Sequence, residues 1–269
     1  MKELQDEYPD RRKSTFSIFP SEKVENFFYE QYNFILSLPF LIDFADQVVC
    51  IDNEGVYNIS SDYWKSTNLY YEHLNFLISH MMSNFTCTLR FPDQINSDLN
   101  KMIVNLNPFP KYHFLVSNLN PITSQLTSKP IIYLNDFTSN LFDDKKWFAA
   151  CDPKNSVYLS ASALFRVYFR PNDVLNEMKK IQIPKIPNFK MSICENPLRC
   201  VHSSTSVFAN TTSVKDIFKR IYSQFHKNYE KRYFIHKFLW EGVEFEEFEE
   251  SSNCVKDLIC GYETLQITS

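Results

Sequence analysis

The sequence predicts an α/β protein in which strands and helices interleave and a layer of helices closes the chain. Short apolar runs bounded by polar or proline residues, such as Val48 to Asp52 (VVCID), read as buried strands. Longer segments repeat apolar residues three and four apart, as buried helices do. Mixed elements come first and a purely helical stretch last, which points to α/β architecture plus a terminal α layer. With 269 residues and 44% hydrophobic content, the chain can bury one sizeable core or two smaller ones.

Thr15 to Pro20 (TFSIFP) alternates as a strand does, and a helical pattern around Tyr32, Ile35 and Leu36 follows, interrupted by Pro39. From Tyr71, Leu74, Leu77, Ile78, Met81 and Phe85 recur at helical spacing, predicting a long buried helix to about Leu89. Asn96 is placed as the N-cap of another, striped by Leu99, Met102, Ile103 and Leu106 and stopped by Pro108 and Pro110. A strand near Tyr112 to Ser117, a polar loop from Gln125 to Pro130 and a helix around Asp136 to Phe142 come next. Val157 to Val167 reads as a second long strand, and Pro171 opens a helix to about Lys180. Pro184 to Asn196 is proline-rich and poorly patterned, and Thr205 to Ala209 suits a final strand. Ser213 with Asp216 resembles a capping box ahead of Val214, Ile217, Phe218, Ile221 and Phe225. A last helix buries Val255, Leu258, Ile259 and Tyr262.

Composition excludes several function classes. A net charge of −4 disfavours a nucleic-acid binder, which needs clustered Lys and Arg against phosphates. The charged start MKELQDEYPDRRK is no secretory signal, and the most apolar run, Ile35 to Phe44, is too short and too broken for a membrane span. Seven scattered cysteines without a CxxC pair read as reduced thiols of a cytosolic protein, and the six histidines lack metal-ligand spacing. Sequons at Asn58, Asn84 and Asn210 are then chance matches. Only Gly55, Gly242 and Gly261 are glycine, so the chain has no glycine-rich loop to wrap a phosphate with backbone N–H groups.

The stretch Thr86 to Ser124, TCTLRFPDQINSDLNKMIVNLNPFPKYHFLVSNLNPITS, resembles the β-tubulins. So do EYPDR at Glu7 to Arg11, TFSIFPS at Thr15 to Ser21, CIDNE at Cys50 to Glu54, FAACDP at Phe148 to Pro153 and IFKRIYSQF at Ile217 to Phe225, all in family order. The resemblance implies a tubulin-like fold: residues 1–70 a remnant of a Rossmann-like GTP-binding domain, 71–90 a central helix, 91–210 a mixed-sheet intermediate domain and 211–269 a C-terminal helical hairpin. It implies a structural role in the microtubule cytoskeleton of the cytoplasm, with α-tubulin, the microtubule lattice and tubulin chaperones as partners.

Site residues follow from the same resemblance. Asn53 and Asn75 would hydrogen-bond the guanine of GTP, Tyr71 would stack on it, and Glu30 would lie near the ribose end. Asn26 stands where the family has an aspartate for the sugar. Gln94, Asn96, Asp98 and Lys101 would form the loop and helix start facing a neighbour's nucleotide along the protofilament. There the α type presents a catalytic glutamate and the β type a lysine, so Lys101 replaces catalysis. The family's glycine-rich first third, with its magnesium-side residues, has no counterpart in this sequence. Pro39 interrupts a family helix, several residues between Lys180 and Cys194 are missing so that most of one strand should be lost, and Gln125 to Pro130 lacks the arginine and tyrosine of the lateral-contact loop. Glu241 to Glu250 reads as a solvated acidic turn, with a surface for motors as its functional alternative.

Overall fold

A computed structural model describes residues 1–21, 28–66, 69–91, 99–120, 134–139, 141–151, 156–167, 169–180, 186–194 and 204–268. Six strands, β1 (Ser14–Phe19), β2 (Gln47–Asp52), β3 (Phe114–Asn120), β4 (Tyr158–Arg166), β5 (Phe189–Cys194) and β6 (Ser204–Thr211), form one sheet in the order β1-β2-β3-β6-β4-β5. β1, β2 and β3 run parallel, β6 lies antiparallel between β3 and β4, and β5 is parallel to β4. Every residue of β2 is buried, as a central parallel strand covered on both faces requires.

Around the sheet lie α1 (Lys2–Glu7), α2 (Phe28–Phe44), α3 (Asn53–Trp64), α4 (Tyr71–Phe85), α5 (Cys87–Arg90) and α6 (Leu99–Leu106). The later helices are α7 (Leu134–Ser139), α8 (Pro171–Lys180), α9 (Val214–Glu230), α10 (Ile235–Trp240) and α11 (Phe245–Thr268). The strand period of two divides the core. Val48, Cys50, Phe114 and Val116 meet α2, α8, α9 and α11 through residues such as Ile35, Phe218, Ile221 and Tyr262. Val49, Ile51, Leu115 and Leu119 meet α3, α4 and α6 through Val56, Leu77, Met81, Phe85 and Met102. The apolar stripes predicted for α9 and α11 are all buried.

The predicted α/β architecture with a C-terminal helical region is what forms, with four local corrections. α2 runs through Pro39 to Phe44, although proline gives no N–H to the Ile35 carbonyl. The strand expected to be largely lost is present: β5 pairs with β4 from Ala161↔Phe189 to Arg166↔Cys194. Its Phe-Lys-Met-Ser-Ile-Cys sequence alternates well enough once the prolines before it are set aside. Ser213 precedes α9 with helical φ and ψ in place of the extended conformation of a capping residue and makes no capping bond; its hydroxyl donates to the Cys151 Sγ at 3.3 Å and the Thr211 Oγ1 at 3.4 Å. The long helix ends at Phe85 and restarts as α5 after Thr86. Asn96 and the loop Gln125 to Pro130 lie outside the described residues.

A further helix, α3, carries no strong apolar period, yet Gly55 in its first turn fixes where it sits. A Cβ there would lie 2.7 Å from the Ala149 nitrogen and 2.8 Å from the Phe148 carbonyl carbon. Backbone cannot yield as a side-chain tip can. Gly55→Ala is therefore expected to destabilise the fold by about 1–3 kcal/mol, read as a lower urea midpoint at unchanged slope.

Candidate functional site

β2 ends in Asp52, whose side chain caps α3 by accepting from the Glu54 N–H at 3.3 Å. The same carboxylate accepts from the Ala150 N–H at 3.0 Å and from the Arg220 guanidinium of α9 at 2.8 Å. Arg220 also donates to Glu54 Oε2 at 3.0 Å, and Ser21 Oγ lies 3.4 Å from that oxygen. Asp52 is fully buried and Arg220 about a quarter exposed. Burial raises the Asp52 pKa above its ordinary value, and Arg220 and the two backbone N–H groups oppose that rise. Asn53 stands between the two clamped acids.

Asn53 and Glu30 share a cavity of about 580 Å³ between β1, α2 and the start of α3. Its described walls are apolar at Ile18, Phe34, Phe40 and Leu41 and include no lysine or arginine side chain. Among the described residues no three His, Cys, Asp or Glu side chains converge as metal ligands. Tyr71 and Asn75 stand exposed on α4, Tyr71 by 65%. The Trp64 and His73 rings, 4.8 Å apart, join the end of α3 to that first turn of α4. Asn26 lies outside the described residues.

Lys101 is exposed on α6 and lines a second cleft, of about 410 Å³, with Arg12 and Lys190. Ser162, Ser192, Asn100 and Asn105 add polar groups to it. Lys190 comes from β5 and Arg12 from the turn before β1, where Asp46 pairs with it at 3.6 Å. Gln94, Asn96 and Asp98 lie outside the described residues.

Residues 110–223 match the family model described as the tubulin C-terminal domain. A β-tubulin chain from the nucleomorph of Guillardia theta is 39% identical over 272 residues, covering 98% of this chain and 62% of its own. A tubulin β-6 chain of Gossypium hirsutum is 37% identical over 272 residues, covering 98% of this chain and 60% of its own. The chain belongs to the tubulin family. It spans about three-fifths of the length of these β-tubulin relatives.

Within that family frame, the Arg220 clamp is what sequence reading missed. Its members sit inside two of the resembling motifs, Asp52 and Glu54 in CIDNE and Arg220 in IFKRIYSQF. The available signal was chemical: a carboxylate closing an apolar run, here Val48 to Ile51, is buried with it and needs a cation from elsewhere. Arg220→Met is expected to cost about 3 kcal/mol at neutral pH, since it strands a buried carboxylate. Without the guanidinium the Asp52 pKa rises further, so the variant takes up a proton at higher pH than the parent. The stability gap should thus be widest above both folded-state pKa values and narrow as pH falls through them, measured as urea midpoints across neutral to acid pH.

Proposed function

We propose that this chain is a β-tubulin-like structural component of the microtubule cytoskeleton in the cytoplasm, engaging an α-tubulin neighbour through the face around Lys101 and holding GTP weakly or not at all. The cleft that gathers Lys101, Arg12 and Lys190 carries this reading, because three cations on one surface suit an anionic group presented by a docking subunit. An ammonium offers charge to a terminal phosphate but cannot orient an attacking water as a carboxylate can. The chain therefore serves as contact surface, and GTP hydrolysis is not its own chemistry. The organisation into segments 1–70, 71–90, 91–210 and 211–269 belongs to the same reading.

For the nucleotide we assign Asn53, Asn75 and Tyr71 to the base and Glu30 and Asn26 to the sugar side. Stacking on Tyr71 would contribute about 1–3 kcal/mol and two neutral hydrogen bonds roughly 0.5–1.5 kcal/mol each. Association costs about 4 kcal/mol or more. The sum is near zero, short of the roughly −4 kcal/mol that millimolar binding needs. A second reading, a non-polymerising module for α-tubulin or a tubulin chaperone, is favoured by the loop Gln125 to Pro130, which has neither arginine nor tyrosine for lateral contact.

The purified chain is expected to co-sediment with microtubules, and Lys101→Ala to weaken that about tenfold, the worth of one charge-assisted contact. Absence of co-sedimentation under all conditions would reject the polymer reading; a soluble α-tubulin complex that blocks growth would install the second. Labelled GTP should show no saturable binding in the micromolar range to the folded chain, by equilibrium dialysis.

A further inference from the structure

Lys146 closes a short helical turn, Asp144–Lys146, that Asp143 holds in place. The Asp143 carboxylate accepts from the Lys145 N–H at 3.2 Å, and its carbonyl accepts from the Lys146 N–H at 3.1 Å. The next residue, Trp147, is buried and bridges to Asn118 of β3. The lysine therefore stands on a fixed base, and it lines a cavity of about 330 Å³ between that turn, α3 and the end of β3. Its ammonium donates to the Oδ1 of buried Asn120 at 3.0 Å, a neutral amide acceptor. Burial pushes the Lys146 pKa below the ordinary lysine value, and the Asp143 carboxylate opposes that shift. Lys145, its exposed neighbour, and Asp62 and Tyr63 of α3 are the other titratable groups on the wall. Ile59, also from α3, adds an apolar surface.

We propose that Lys146 is an acylation site, taking a short acyl group from an acyl thioester and lodging the acyl chain in this cavity against Ile59 and Tyr63. In that step the free amine of Lys146 attacks the thioester carbonyl carbon. An N–C bond forms, the C–S bond breaks, and the departing thiolate takes the proton lost from nitrogen; nothing is oxidised or reduced. The fold favours both ends of the reaction. An amine whose charged form is disfavoured by burial is a free base, and so a nucleophile, in larger part at neutral pH. The product suits the cavity better than the reactant does. An amide keeps one N–H for the Asn120 oxygen while shedding a charge that is costly to bury. At about 330 Å³ the cavity stands near the lower bound of small-molecule sites, which favours a short acyl chain over a long one.

Incubating the folded chain at neutral pH with a small acetyl thioester, S-acetyl-N-acetylcysteamine, and mapping its peptides by mass spectrometry tests this. Lys146 is expected to acquire the acetyl group severalfold faster than Lys145 beside it. That preference should shrink as pH rises through the ordinary lysine pKa of about 10.4, where an unperturbed amine is a free base too. It should vanish in chain unfolded by urea, and a long-chain thioester, S-decanoyl-N-acetylcysteamine, should lack it. Chain synthesised with acetyl-lysine at position 146 should unfold at a urea midpoint no lower than the parent's. No acetyl group at Lys146, uptake no faster than at Lys145, or a preference that survives unfolding would overturn the proposal. So would equal preference for the long chain, or a lower urea midpoint for the acetylated chain, since the cavity would then not be what receives the acyl group.

Discussion

Arg220 reaches from the C-terminal helical layer into the end of the central strand, and several elements take their places from that contact. Burying the Asp52 carboxylate costs several kcal/mol unless it is paired and hydrogen-bonded. The guanidinium and two backbone N–H groups supply those partners. One N–H belongs to α3, so the carboxylate that closes β2 also starts the next helix. The other belongs to Ala150, and the segment before it is tied in turn. Phe148 N–H donates to the Ser117 carbonyl and its own carbonyl accepts from the Asp52 N–H, both at 2.8 Å. β2, β3, α3, α9 and residues 148–150 are thus held at one point, and Asn53 faces the cavity from it.

The fate of α2 shows how magnitudes settle a local conflict. Pro39 inside a helix costs about 3 kcal/mol. Tyr32, Ile35 and Leu38 on the same helix are completely buried. Each such side chain contributes roughly 1.5–3 kcal/mol on removal from water, so packing outweighs the broken turn and the helix continues. Tyr32 adds a bond from its hydroxyl to the Tyr233 carbonyl at 2.8 Å and ring contacts with Phe225, Phe238 and Phe248. Its burial pushes the phenol pKa up to about 12, which keeps that hydroxyl a donor throughout the physiological range.

Elements whose burial repeats with a regular period were legible from sequence: the stripes of α4, α9 and α11 and the apolar run of β2. Elements decided by tertiary contact were not. α3 is helical because Asp52 caps it and Gly55 lets it close on Phe148 and Ala149, neither of which leaves a period in the sequence. β5 hid behind prolines that belong to the segment ahead of it. Ser213 carried a capping signature, but its hydroxyl found Cys151 and Thr211 instead. At the candidate site, residue types and order identified the family. Which side chains share a hollow depends on contacts between segments far apart, and Arg220 lies 168 positions from Asp52.

Net charge and local charge also part company. The chain totals −4, yet its acids and bases are sorted. Glu246 and Glu247 fall in the first turn of α11, where the helix dipole favours anions. Arg12, Lys101 and Lys190 gather at the other cleft. Asp46 offsets Arg12 only partly: at 3.6 Å with both side chains more than a third exposed or nearly so, the pair is worth under about 1 kcal/mol. Fields at a surface are set within a screening length of about 8–10 Å, so distant glutamates do not cancel that cleft. A modestly acidic protein can therefore present a locally cationic cleft, and net charge alone does not decide which of its surfaces suit an anionic group.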